Sequence, residues 1–248
     1  MTYSPALAHK CAALSAQVYQ PYFDESCSSV ADDPNQAYFS IGKTQVWLIN
    51  EPDAVFVVFR GTSYEDMMTD LKFRKEKTVF GKVHRGFWNY TLNTFVNVGA
   101  WLTSWAAIPK KPIIVTGHSL GAAAAVIQAC LLHQQGFEIG GVYTFGEPRI
   151  GNGEFARYCD NAFGDVHYRH VNGLDGVPWV PFWHWGYRHC GQRFYFSTYR
   201  QRLVRNAPLC QCVLERLPIL LKRPWSWGLY KLLDHAVYLY VAACERNL

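Results

Sequence analysis

No stretch of the 248 residues approaches the roughly 20 consecutive apolar positions that a membrane-spanning helix requires, so no transmembrane segment is expected. The opening residues, Met1-Thr2-Tyr3-Ser4-Pro5, lack a basic start followed by an apolar run. That absence sets the expectation of a cytoplasmic protein, with leaderless export as the other route. Repeats and low-complexity segments are also missing, which excludes solenoid architectures. No nucleic-acid-binding fingerprint is present. The formal charge of +5 is spread over Lys72 to Lys82 and Arg188 to Arg223, a distribution that suits an anionic interface better than nucleic acid. Eight cysteines are scattered without the two-residue spacing of zinc-binding pairs. Cys210-Gln211-Cys212 with His184, His189 and Cys190 comes nearest to a metal set, and no metal is expected from it. The cysteines read as free thiols of a core in a reducing compartment.

What is there is half hydrophobic and 16% aromatic, enough to bury a sizeable core in a single α/β domain spanning residues 1–248. Ser4 and Pro5 open a helix carrying Leu7, Cys11, Leu14 and Val18 at helical spacing. Three extended runs follow, Ala37 to Ile41, Thr44 to Asn50 and Ala54 to Arg60; the third is apolar on both faces, as a central strand must be. Tyr64 to Lys82 is charged and irregular, readable as a flap or as a solvated connection. From Phe87 to Trp105 the apolar residues share one helical face. Strands at Ile113, Val142 to Phe145 and Val166 to Val171 alternate with helices, so the sheet is expected to be mostly parallel with helices on both faces. A last strand is expected at Arg193 to Tyr199 and a last helix at Tyr230 to Arg246. Between them, at about 203–230, an apolar run broken by Pro218 leads to Lys222-Arg223-Pro224-Trp225-Ser226-Trp227. This segment reads as a packing helix with a Pro-Trp loop, as a cap, or as a foot on a lipid surface through Trp225, Trp227 and the nearby cations.

The centre of the chain is Ile113 to Gln128. A β-branched strand there meets an alanine-rich helix across Gly117-His118-Ser119-Leu120-Gly121. A turn this tight tolerates almost no side chain beside the serine and leaves its hydroxyl at a helix N-terminus, where developing negative charge is favoured. Serine is a poor nucleophile until a base takes its proton, and that base works best when a carboxylate holds its tautomer. In an elbow of this kind the partners follow in the order Ser, Asp, His, each just after a strand. Asp175 fits as the acid, because a valine-rich strand ends immediately before its turn; Asp160 and Asp165 flank a helix end and a strand start. Of nine histidines, His235 alone follows the last expected strand, with His189 in reserve. Oxyanion donors are expected at the Leu120 amide and at Thr62, behind the apolar strand that ends in Arg60-Gly61.

Together, Phe59-Arg60-Gly61-Thr62, Asp70-Leu71, His84-Arg85-Gly86-Phe87, Gly117 to Gly121, Phe145 to Gly151, Asn172 to Pro181 and Asp234-His235 with Tyr238 resemble the class 3, fungal-type lipases of the α/β-hydrolase superfamily. The resemblance runs in order from about Val55 to Tyr240. It implies an α/β-hydrolase fold, a Ser119–Asp175–His235 triad, a Thr62 and Leu120 oxyanion hole with Asp70 supporting Thr62, structural roles for His84 and His189, and no cofactor. Where the family usually has a second glycine after the elbow, this chain has Ala122. Neither the Tyr64 to Lys82 segment nor the long stretch after Leu203 has the form expected of the family. The implied activity is hydrolysis of lipid carboxylic esters. Its alternatives are a carboxylesterase or feruloyl-type esterase on soluble esters, a phospholipase A1, and, outside enzymes, a lipid-surface binding protein.

Overall fold

The computed structural model describes residues 2–20, 33, 35–61, 74–104, 111–197, 202–208, 214 and 234–248. Trp225, Trp227, Thr62, Asp70 and most of the expected insertion lie outside the described residues.

Helix α1 (Pro5–Gln17) starts where Ser4 Oγ accepts the Leu7 amide at 3.2 Å, with Pro5 in the first turn. Strands β1 (Gln36–Ile41), β2 (Thr44–Asn50) and β3 (Val55–Phe59) run antiparallel in succession. A two-stranded hairpin, β4 (Lys75–Thr78) and β5 (Gly81–His84), then leads into α2 (Arg85–Ser104). The hairpin corrects the expectation of irregular chain up to Lys82. Strand β4 carries only Lys, Glu and Thr, and β5 has a single apolar residue, the buried Val83, so no apolar alternation betrays the hairpin.

Beyond it come β6 (Ile113–His118), α3 (Leu120–Gln134), β7 (Ile139–Phe145), α4 (Gly153–Phe163), β8 (His167–Asn172), β9 (Gln192–Phe196), β10 (Leu203–Arg205) and α5 (Val237–Glu245). The large sheet runs β1-β2-β3-β6-β7-β8-β9-β10, with β3, β6, β7, β8 and β9 parallel and antiparallel strands at both edges. Leu203–Arg205, the start of the expected insertion, thus extends the sheet edge. The last helix begins at Val237, leaving His235 in the turn ahead of it.

Period-two alternation divides the core. Val55, Val57 and Phe59 face α2, α3 and α4, whereas Phe56 and Val58 face α1 and α5. Helix α3 is buried all round from Gly121 to Leu132, which explains its run of alanines: small side chains let it lie against the sheet. At Gly121 a Cβ would stand 2.4 Å from the Phe59 carbonyl oxygen. No described helix is long and apolar enough to cross a membrane.

Candidate active site

Ser119 stands between β6 and α3 with φ 59° and ψ −124°, a backbone conformation that costs a non-glycine residue free energy and holds its side chain at the helix N-terminus. The turn is clamped on both sides. A Cβ at Gly117 would meet the Gly121 carbonyl at 2.4 Å, and one at Gly61 would lie 3.3 Å from Ser119 Cβ. The end of β3, from which Thr62 departs, therefore lies against the serine. Leu120 is the first residue of α3, whose first-turn amides have no acceptor within the helix.

Asp175, in the turn after β8, is fully buried. Its Oδ2 accepts His235 Nδ1–H at 2.8 Å and the Tyr240 hydroxyl at 2.5 Å, while Oδ1 accepts the Val177 amide at 2.8 Å. Burial alone would raise its carboxyl, but the His235 ring and these three donors outweigh burial and hold it below its ordinary value. Tyr240 in turn accepts the Asn172 amide at 3.1 Å, and burial pushes its hydroxyl far up, so it stays a donor to Asp175. Two further bonds tie the Asp175 turn to the His235 turn: Leu174 N–H to Asp234 Oδ2 at 2.7 Å and Asn172 Nδ2 to the Asp234 carbonyl at 3.1 Å.

His118 fixes the other side of His235. Its Nε2–H donates to the His235 carbonyl at 2.6 Å, and its Nδ1 accepts from the Tyr19 hydroxyl at 3.0 Å. Burial, reinforced by the neighbouring His235, depresses the His118 pKa to about 3, which keeps the ring neutral with the proton on Nε2. Beneath the pair, Gly146 adopts φ 62°, and a Cβ there would be 2.8 Å from both Asp175 Oδ2 and His235 Cε1. The preceding carbonyl, Phe145 O, accepts the Ser119 amide at 3.0 Å. One dipeptide thus braces the nucleophile turn and floors the Asp–His pair. The arrangement leaves His235 Nε2 buried and without a hydrogen bond among the described residues.

Ser119, Asp175 and His235 are therefore gathered into one cluster around Phe145-Gly146. His189 is not part of it: its Nε2 bonds the Pro178 carbonyl at 2.7 Å and its Nδ1 lies 3.8 Å from Glu147 Oε1. His84 packs at 4.2 Å between ring centroids on Phe87, and burial lowers its pKa to about 4. Tyr238, which belongs to the motif after His235, is 62% exposed, while Tyr240 two residues on reaches the carboxylate. Tyr240, His118 and Gly146 are residues that sequence reasoning missed. Only His118 and Gly146 carried a signal, through their place in motifs already singled out. Among the described residues no group of three or more His, Cys, Asp or Glu side chains is placed to hold a metal.

Residues 56–185 match the model of the lipase (class 3) family. The chain belongs to that family. Curated relatives include a lipase of Rhizopus niveus, 36% identical over 172 residues that make up 65% of this chain and 42% of the relative. The secreted mono- and diacylglycerol lipase 1 of Fusarium solani is 37% identical over 116 residues, 46% of this chain and 34% of the relative. This class 3 chain spans less than half the length of these curated relatives. Among solved structures, lipase II from Rhizopus niveus superposes with a TM-score of 0.65 at 26% identity over 78% of this chain and 82% of that one. The lipase from Rhizopus microsporus var. chinensis gives 0.64 at 28% identity over 79% and 76%. The α/β-hydrolase fold and the family are thus established.

The relatives also correct the cytoplasmic expectation, since those from Fusarium solani and Penicillium cyclopium are named as secreted proteins. That expectation rested on the make-up of residues 1–5, where Ser4 and Pro5 serve to start α1 and say nothing of the compartment.

Proposed function

We propose that this protein is a serine hydrolase that cleaves carboxylic esters of lipids through an acyl-enzyme. The observation that carries the reading is the His235 ring. One nitrogen is fixed on a buried, ionised Asp175, the other is free of any described hydrogen bond, and the His235 carbonyl is tied to His118, next to Ser119, while Asp234 is tied to the Asp175 turn. In this reading Ser119 Oγ attacks the acyl carbon while His235 Nε2 takes its proton, and Asp175 holds the Nδ1–H tautomer and stabilises the imidazolium. The oxyanion is met by the Leu120 amide, with Thr62 as the second donor and Asp70 behind it. His235 then protonates the leaving alcohol. A water deprotonated by the same ring releases the fatty acid and restores Ser119. Every step uses a side chain or amide of the chain itself, and the chemistry calls for no cofactor.

Glycerides are the substrate class that the names of the Fusarium and Penicillium relatives point to, with soluble esters and phospholipids as the alternatives to separate. The contact with a lipid surface through Trp225, Trp227 and nearby cations belongs to the same proposal.

Ser119→Ala is expected to lower ester turnover by roughly 10⁴-fold or more with the fold intact. Labelling by a fluorophosphonate probe should be seen in the wild type and lost in this variant; near-normal turnover without Ser119 would overturn the assignment. A rate that climbs sharply as a glyceride passes its solubility limit supports lipid esters, and a rate that saturates below that limit supports soluble ones.

A further inference from the structure

Beyond the Asp175 turn the chain swings to the surface and exposes three large rings in succession. Phe182, Trp183 and Trp185 are 42%, 63% and 40% exposed, around a single 3-10 turn. They form one packed knob. Phe182 stacks on His184 with ring centroids 5.4 Å apart and meets Trp185 edge-on at 5.0 Å. Its base is rigid: the Arg149 guanidinium binds the Trp179 and Pro181 carbonyls, Arg188 donates to the Trp183 carbonyl at 2.7 Å, and Lys75 donates to the Trp185 carbonyl at 2.6 Å. Side-chain hydrogen bonds to the backbone thus hold three large rings in water.

The charge beside the knob is sorted by sign. Lys75 lies 4.2 Å from the centroid of the Tyr187 ring, so its face of the β4–β5 ribbon is the one turned to the knob. Strand alternation puts Lys77 on that face as well, and the pairing of Lys77 with Lys82 adds a third lysine. Glu76, the one acid of the hairpin, is on the opposite face, 4.0 Å from Arg85. Like charges placed directly across a ribbon, as Lys77 and Lys82 are, cost stability in the free protein. An external anionic partner removes that cost. No acidic residue occurs from Phe182 to Arg188.

Exposed tryptophan beside lysine and arginine is the chemistry of a lipid–water interface: the ring sits among headgroups while the cations meet anionic lipid. We propose that the Phe182–Trp185 knob and the Lys75, Lys77 and Lys82 face form an anchor for anionic lipid surfaces. The anchor uses none of the residues assigned to hydrolysis, and neither Trp225 nor Trp227 is among its residues.

Co-sedimentation of the full-length Ser119→Ala protein with phosphatidylcholine vesicles, with and without phosphatidylglycerol, tests this directly. Binding is expected to the phosphatidylglycerol vesicles. Phe182→Ala with Trp183→Ala should weaken it roughly tenfold or more, and Lys77→Gln with Lys82→Gln should weaken it by a similar factor. In the Ser119 background both double variants should hydrolyse a soluble short-chain ester as the wild type does, which also shows that they fold. Undiminished vesicle binding by either variant overturns the anchor, as does equal binding to neutral vesicles. So does equal affinity for a soluble polyanion that ignores the loss of the rings. A dimer in sedimentation equilibrium that Trp183→Ala dissociates would overturn it too, since a second copy would then cover the knob. Loss of probe labelling with vesicle binding intact would count against the hydrolase alone.

Discussion

Adjacent parallel strands β7 and β8 each deliver a buried carboxylate to a histidine, and the two pairs sit in different surroundings. After β8, Asp175 meets His235 at 2.8 Å; after β7, Glu147 meets His167 at 3.0 Å. Both carboxylates are fully buried and both are held below their ordinary pKa, against burial, by the facing histidine. At the second pair, burial alone would lower the His167 pKa, yet the Glu147 charge overrides it and raises it to about 10. His167 is thus already protonated at neutral pH and has no lone pair to offer a nucleophile. The thiols beside it are equally unsuited. Cys190 is pushed well above its ordinary range, chiefly by its contact with Cys159, and Cys159 chiefly by burial. A carboxylate–histidine contact is therefore no catalytic signature by itself; the second nitrogen must face a group that needs a base. Glu147, bonded also to Thr144 at 2.7 Å, reads as an internal ion pair that anchors the Gly146 loop under the first pair.

The sharpest way to break this comparison is to neutralise each carboxylate in turn. Asp175→Asn should cut kcat about 10⁴-fold, because the imidazole loses the tautomer that Asp175 enforces. Glu147→Gln should leave kcat of the folded molecules within a few-fold while costing roughly 3–5 kcal/mol in chemical denaturation, since His167 is left as an unpaired buried charge. Equal losses of kcat in the two variants at matched folded fraction would erase the distinction.

Gly146 joins the pairs, and Gly146→Ala probes that junction. The new Cβ would stand 2.8 Å from Asp175 Oδ2 and His235 Cε1 at a left-handed φ of 62°. Displacement of the pair by a fraction of an ångström should lower kcat roughly 10²-fold with a smaller effect on KM. An unchanged kcat would mean that the pair is not floored by this residue.

The smallest effect is a slope. His167 has its folded pKa raised above the ordinary 6.5, so its contribution to stability is complete below that value and is lost as pH rises toward about 10. Buried His84, His118, His170 and His189 have lowered values and act only below 6.5, and the buried cysteines add losses only near and above their ordinary 9.0. Between pH 7 and 8.5, wild-type stability should therefore fall by up to about 1.4 kcal/mol per pH unit, and the slope should vanish in His167→Asn. A slope that survives that substitution would place the titrating group elsewhere.

Local chemistry alone determined a great deal of this protein. Glycine at 117 and 121 around Ser119, the all-apolar run of β3 and the alternation of strands with helices each have one economical reading, because tight turns, central strands and βα units constrain residue type position by position. Asp175 and His235 were legible through chain order and the strands that precede them. The β4–β5 hairpin was not, since Val83 is the one apolar side chain in its two strands and a single position shows no period. Tyr240 was not either: it is one of 15 tyrosines, and only the packing of α5 against β8 brings its hydroxyl to Asp175 rather than the exposed Tyr238. That a second carboxylate, Glu147, pairs with His167 and ties down the Gly146 loop was decided by tertiary structure. The charge state of a buried histidine depends on the groups that surround it in space, and those come from strands far apart along the chain.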